Sequence, residues 1–217
     1  LIDTLYLFPS SHDVKNFIPS ITLISPQLIN TITGSKTWSY IDGCYWSLWP
    51  EIQFYLLSST MYFIKKDSFM KYFMRASTLL IVFNAGVKFF ETRRNYSFLP
   101  DGFFLNYEKF IDKGFNLINY LPFFCLGISF YILYKNHSQG VKNHFYIKIY
   151  IAFLTMFILT VYGGLHVPII VRVVYLLMLF VFLAFVYAPK SLSIFENKIL
   201  TRIGVSSYFL YLIHQNI

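Results

Sequence analysis

From Tyr45 onward the chain is a succession of apolar runs broken where Lys, Arg, Gly and Pro collect. A helix needs about 20 predominantly apolar residues to cross the hydrocarbon core. Five runs meet or approach that length: Tyr45–Ile64, Tyr72–Phe90, Gly114–Tyr134, Phe145–Tyr162, and one from Val167-Pro168 to Tyr187. A sixth, Ile203–Ile217, stops about five residues short, which predicts a truncated span and a chain cut from a longer protein. Residues 1–44 read differently, because Ser, Thr and Asn are mixed in and Pro9, Pro19 and Pro26 forbid one uninterrupted spanning helix. The pattern predicts an all-α, polytopic transmembrane helix bundle over 45–217, with about five complete spans, preceded by an extracytoplasmic loop at 1–44.

Composition supports the membrane class. Of the 217 residues, 56% are hydrophobic, 21% aromatic and only 13% charged, against roughly 25% charged in a soluble domain. The net charge of +8 needs no nucleic acid to explain it, since Lys and Arg gather in cytoplasmic loops. Lys65, Lys66, Lys71 and Arg75, then Lys135, Lys142 and Lys148, then Lys190, Lys198 and Arg202 mark three inside loops. Lys15, Lys36, Arg93, Arg94, Lys109 and Lys113 fall outside, while Lys88 and Arg172 lie within spans. Gly163-Gly164-Leu165-His166 fits a tight external hairpin. Orientation follows as residues 1–44 outside, in a multi-pass protein of the plasma or inner membrane.

Charge inside the spans narrows the chemistry. Glu51 stands in an otherwise apolar helix, and an intramembrane carboxylate costs on the order of 2.5–3.5 kcal/mol, so function is the default reading. Ser47, Glu51 and Tyr55 recur every fourth residue and share a helical face. At 1.5 Å per residue, Glu51 lies roughly 9 Å from the outer edge, Arg172 about 8 Å, and His214 roughly 14 Å. These depths predict one outward-opening cavity in which the carboxylate offsets the guanidinium and orients the imidazole as a general base. Other readings stand beside this one. Glu51 can serve as a first-turn acid behind Pro50, Arg172 can snorkel to the interface, and His214 can be an interhelical hydrogen-bonding residue. Tyr55 and Tyr208 are candidate donors into the cavity. His12, His137, His144 and His166 read as ordinary surface residues, and Cys125 as helix packing. Nothing in the sequence has the spacing of a metal site or a phosphate loop.

Trp46-Ser47-Leu48-x-x-Glu51-x-x-Phe54-Tyr55-Leu56-Leu57, preceded by Asp42-Gly43, resembles the signature W-S-L-x-x-E-x-x-F-Y of the acyltransferase 3 family of integral membrane acyltransferases. Leu121-Pro122-Phe123-Phe124-Cys125-Leu126-Gly127 is similar to that family's L-P-x-F-x-x-G helix start. Ile203-Gly204-x-Ser206-Ser207-Tyr208-x-x-Tyr211-Leu212-Ile213-His214 is similar to its closing helix. Pro50 stands where the family commonly has an aliphatic residue, which predicts a later helix start or a bend. The resemblance implies an enzyme that moves an acyl group, commonly acetyl from acetyl-CoA, to a hydroxyl of a carbohydrate or other cell-envelope acceptor. It also implies a main catalytic His and an Arg-rich motif upstream of Leu1. Glu51 and His214 then act as supporting catalytic groups, and Trp46, Ser47, Tyr55 and Tyr208 as substrate-binding candidates, to which Arg172 is added from its depth in the span and not from the family. No metal is implied, and the expected partners are the lipid bilayer and the acceptor. A transporter or flippase of a polar lipid or glycan is the alternative, since intramembrane Glu, Arg and His suit a translocation path as well.

Overall fold

A computed structural model describes residues 10, 13–41, 43–93, 102–141, 144–162, 169–190, 192, 197–199 and 201–202. The described residues form helices and turns and no strand. In order these are α1 (Phe17–Thr22), α2 (Pro26–Thr33), α3 (Leu48–Ile64), α4 (Phe69–Arg93), α5 (Phe103–Asn106), α6 (Leu117–Ser138), α7 (Phe145–Phe157) and α8 (Ile169–Tyr187). Wider π-helical turns, Tyr107–Asp112 and Ile158–Tyr162, prolong α5 and α7. Three helical stretches are long and apolar enough to cross a membrane: Lys66–Glu91, Leu117–Ser138 and Ile169–Tyr187. Phe145–Thr160 is apolar but shorter. The first expected span is a helix of 17 residues, led in by the 3₁₀ turn Gly43–Ser47.

The prolines act where the sequence puts them. Pro26 opens α2 at a position whose N–H has no intrahelical partner anyway. α1 ends at Leu23 and α2 at Gly34, both left-handed with φ of 57° and 68°, so the described residues 17–34 fold as two short helices. Among the described residues before Tyr45, neither helix approaches spanning length. α3 starts at Leu48, three residues later than the expected span at Tyr45, and Pro50 does not end it; it is the third residue of the helix, where a missing N–H costs little. Glu51 follows in the same first turn, a position that favours a carboxylate. α6 begins at Leu117, three residues into the span expected from Gly114; the helix start that the resemblance put at Leu121-Pro122 is corrected, because Pro122 lies inside the helix. What allows the early start is a partner for the Leu117 N–H, the Oε1 of Gln53 at 3.0 Å.

The described residues divide into two compact units, one up to Leu121 and one from Pro122 onward. The core of the first unit lies between α3 and α4, where Phe54 meets Phe73 edge to face at 5.8 Å and Phe73, Ser77 and Ile81 are fully buried. Gly114 is held tightly against α2 and the π-helical turn Tyr107–Asp112. A Cβ at this position would stand 2.6 Å from the Phe110 carbonyl oxygen and 3.0 Å from Leu28, so the close approach requires glycine. In the second unit, Cys125, Phe130, Leu133, Ile151, Leu154 and Leu179 are buried, and Phe130 stacks on Phe182 at 5.3 Å. Cys125 is fully buried, consistent with a packing role.

Candidate functional site

In the first unit a cavity of about 580 Å³ is lined by Ser25, Gln27, Tyr40, Trp46, Trp49, Asp112, Lys113 and Asn116. Four separate stretches supply these residues: the start of α2 (Ser25, Gln27), the segment at Tyr40, the start of α3 (Trp46, Trp49) and residues 112–116. The extended segment at 37–41 has no strand to pair with, so α1 and α2 hold it instead. Asn30 accepts from the Trp38 N–H at 3.0 Å and donates to the Trp38 carbonyl at 3.0 Å. Asn16 Oδ1 accepts from Ser39 N–H, and Ser20 Oγ from Ile41 N–H. Tyr40 is thereby placed against Tyr45, with ring centroids 5.9 Å apart, and its hydroxyl donates to the Leu23 carbonyl. Burial pushes the Tyr40 phenol up to about 12.

The second wall is the start of α3. Trp49 is buried and donates from Nε1 to the Gly114 carbonyl at 2.7 Å, whereas Trp46, one turn earlier, is 54% exposed with its ring at the cavity. Leu48, Trp49, Pro50 and Gln53 form the buried side of this helix start. Ser47 and Glu51 are half-buried on a neighbouring face and Tyr55 is 60% exposed.

The third wall, Asp112 to Asn116, carries the charge. Asp112 Oδ1 accepts from Lys88 Nζ at 2.9 Å and from Asn119 Nδ2 at 2.8 Å. Lys88 also donates to Asn119 Oδ1 at 2.9 Å, Asn84 donates to the same oxygen at 3.3 Å, and Tyr107 donates a short hydrogen bond to Asn84 Oδ1. Burial alone would raise the Asp112 carboxyl. The hydrogen bonds from Lys88 and Asn119 and the charges of Lys88 and Lys113 outweigh it, so the group lies below its ordinary value and stays ionised. Burial, with the charges of Asp112 and Glu91, pushes the Tyr107 phenol up to about 12 and keeps it a donor. Lys113 is tied to Glu108 at 2.6 Å, which raises its ammonium above the usual lysine value. Two amide atoms at this wall, Asn116 Oδ1 and Gln53 Nε2, are buried without a hydrogen-bond partner.

The cavity thus offers aromatic faces, an anchored carboxylate, an ammonium and an unused amide acceptor. Ring faces are electron-rich and attract C–H edges, while carboxylates and amides hydrogen-bond hydroxyls. Of the sequence candidates, Trp46 lines this cavity and Glu51 and Ser47 belong to the same helix start. Arg172 lies in the first turn of α8, half-buried, in the second unit. Tyr208 and His214 lie outside the described residues, as does the expected hairpin at Gly163–His166. The Lys88–Asp112–Asn119 cluster escaped the sequence reading, although Lys88 within an apolar run was the signal for a buried partner. No group of three metal-ligating side chains occurs among the described residues.

A family model described as an acyltransferase domain, that of the acyltransferase 3 family, matches residues 1–217. No curated protein and no solved structure matches the chain.

Proposed function

From the premise that the chain belongs to the acyltransferase 3 family, and is therefore an all-helical acyltransferase of a membrane, we propose that it moves an acetyl group from acetyl-CoA to a hydroxyl of a carbohydrate or other cell-envelope acceptor. The supporting observation is the pairing of the Trp46 and Tyr40 rings with the ionised Asp112 carboxylate around one cavity. A sugar ring has the two surfaces such a cavity complements, a C–H face for the aromatics and hydroxyl edges for Asp112 and Asn116. Ser47 and Tyr55 extend the same acceptor path along α3, and Arg172 and Tyr208 contribute to substrate binding.

In the transfer step the acceptor hydroxyl oxygen bonds to the thioester carbonyl carbon and its proton passes to a base. The tetrahedral intermediate then expels the CoA thiolate, which is protonated. The main base is the catalytic His that the family resemblance implies, with Glu51 and His214 orienting or polarising it. The cavity lies on the extracytoplasmic side with residues 1–44, in a plasma or inner membrane.

Transfer of label from acetyl-CoA to carbohydrate in membranes tests this reading. Trp46→Ala should raise the KM for the acceptor by about tenfold, the cost of one lost aromatic contact, with a smaller change in turnover at saturation. Glu51→Gln and His214→Ala should lower turnover itself. Wild-type activity in both would remove these two residues from the mechanism. Glycan crossing the membrane without acquiring label would instead establish the transporter reading.

A further inference from the structure

The second unit holds a groove of about 600 Å³ between α6, α7 and α8, walled by Phe130, Ile151, Ala152, Leu179 and Leu183, with Lys148 at one end. From this groove we infer that the protein holds one anionic phospholipid, with an acyl chain between the helices and its phosphate at Lys148.

Length is the first argument. On α7 the groove runs from Lys148 to Met156 and on α8 from Tyr187 back to Leu176. At 1.5 Å per residue these are about 12 Å and about 16 Å, close to the roughly 15 Å of one leaflet's hydrocarbon. The occupant therefore enters from one membrane face and ends near the midplane, as a lipid chain does.

Charge is the second. Lys148 Nζ stands 5.5 Å over the Tyr187 ring, and that ring lies 5.2 Å from the His137 ring, itself 6.4 Å from His144. His144 Nδ1 is buried without a hydrogen-bond partner. One ammonium and two imidazoles thus meet at the wet end of an apolar slot, where a phosphate sits when its chain is in the slot. Carboxylates that would compete for Lys148 are scarce. Between Pro122 and Ser207 the sequence carries Lys135, Lys142, Lys148, Arg172, Lys190, Lys198 and Arg202 against a single acid, Glu196. Tyr187 adds a hydroxyl at the same level, the usual place of an interfacial tyrosine.

The site shares no lining residue with the cavity of the first unit and does not depend on the acyl-transfer reading. Native mass spectrometry of the intact protein, released from vesicles of equal phosphatidylglycerol and phosphatidylcholine, reads the headgroup preference. One retained phosphatidylglycerol is expected, and Lys148→Ala should reduce its excess over phosphatidylcholine about fivefold. A photoreactive benzophenone residue at position 152 should form an adduct of phospholipid mass in native membranes. Equal retention of the two lipids by the wild type would overturn the inference. So would an unchanged preference in Lys148→Ala, or an adduct at 152 with polypeptide.

Discussion

Asp112 is the residue on which the first unit's polar interior converges. Its carboxylate joins Lys88 and Asn119 in one contact set, and the residue lines the cavity. Because its folded-state pKa lies below the ordinary 3.8, folding favours the ionised form. The resulting stability is complete above the ordinary carboxylate value and is lost as pH falls through the lowered one. Denaturation of the purified protein in detergent should therefore show an acid-sensitive step below about pH 4. Asp112→Asn should remove that step and lower stability at neutral pH by about 1 kcal/mol, a modest figure because both partners are partly exposed and solvent-screened. A variant that kept the wild-type acid profile would show the pair to be energetically silent. Lys88 shows what sequence could and could not say. Its place in an apolar run implied a polar partner, but the partner is 24 positions away, and no local pattern links them.

At the scale of elements, α6 depends on a residue that is not its own. Its first N–H groups have no intrahelical acceptor, and Gln53 of α3 supplies one to Leu117. Trp49 does the matching service one turn earlier on α3, satisfying the Gly114 carbonyl just before α6 begins. The buried edge of α3 is therefore Trp49 and Gln53, spaced by four, adjacent to the Ser47, Glu51 and Tyr55 face that the sequence marked as polar. Gln53→Leu would keep the volume and remove the acceptor. A loss of about 1–2 kcal/mol is expected in denaturant titration, together with faster amide exchange at Leu117. Unchanged exchange there would mean that water replaces Gln53 without cost. Helix existence was legible from apolar run length, and helix starts were less so. α6 opens four residues before Leu121-Pro122 because a distant glutamine caps it, while Pro50 is accommodated in a first turn that asks for no N–H.

At the scale of the molecule, orientation in the membrane is the prediction that most constrains function. With Cys44 and Cys125 replaced, Lys36→Cys should react with an impermeant maleimide added outside intact cells. Lys66→Cys should react only after permeabilisation. The reverse pattern would place the aromatic cavity on the cytoplasmic side, away from envelope acceptors.

The apolar runs, the breaks between them and the W-S-L-x-x-E-x-x-F-Y spacing by themselves determined an all-helical membrane protein of the acyltransferase 3 family, because span length and lipid solvation act on each segment separately. Which face of α3 is buried, what Lys88 pairs with, and that residues near 25, 46 and 112 enclose one cavity were decided only by tertiary structure. Those facts rest on bringing together stretches far apart in the chain, Lys88 with Asp112 in an ion pair and Ser25 with Asp112 at one cavity, and a polar side chain in a span declares in sequence that it needs a partner without declaring which one.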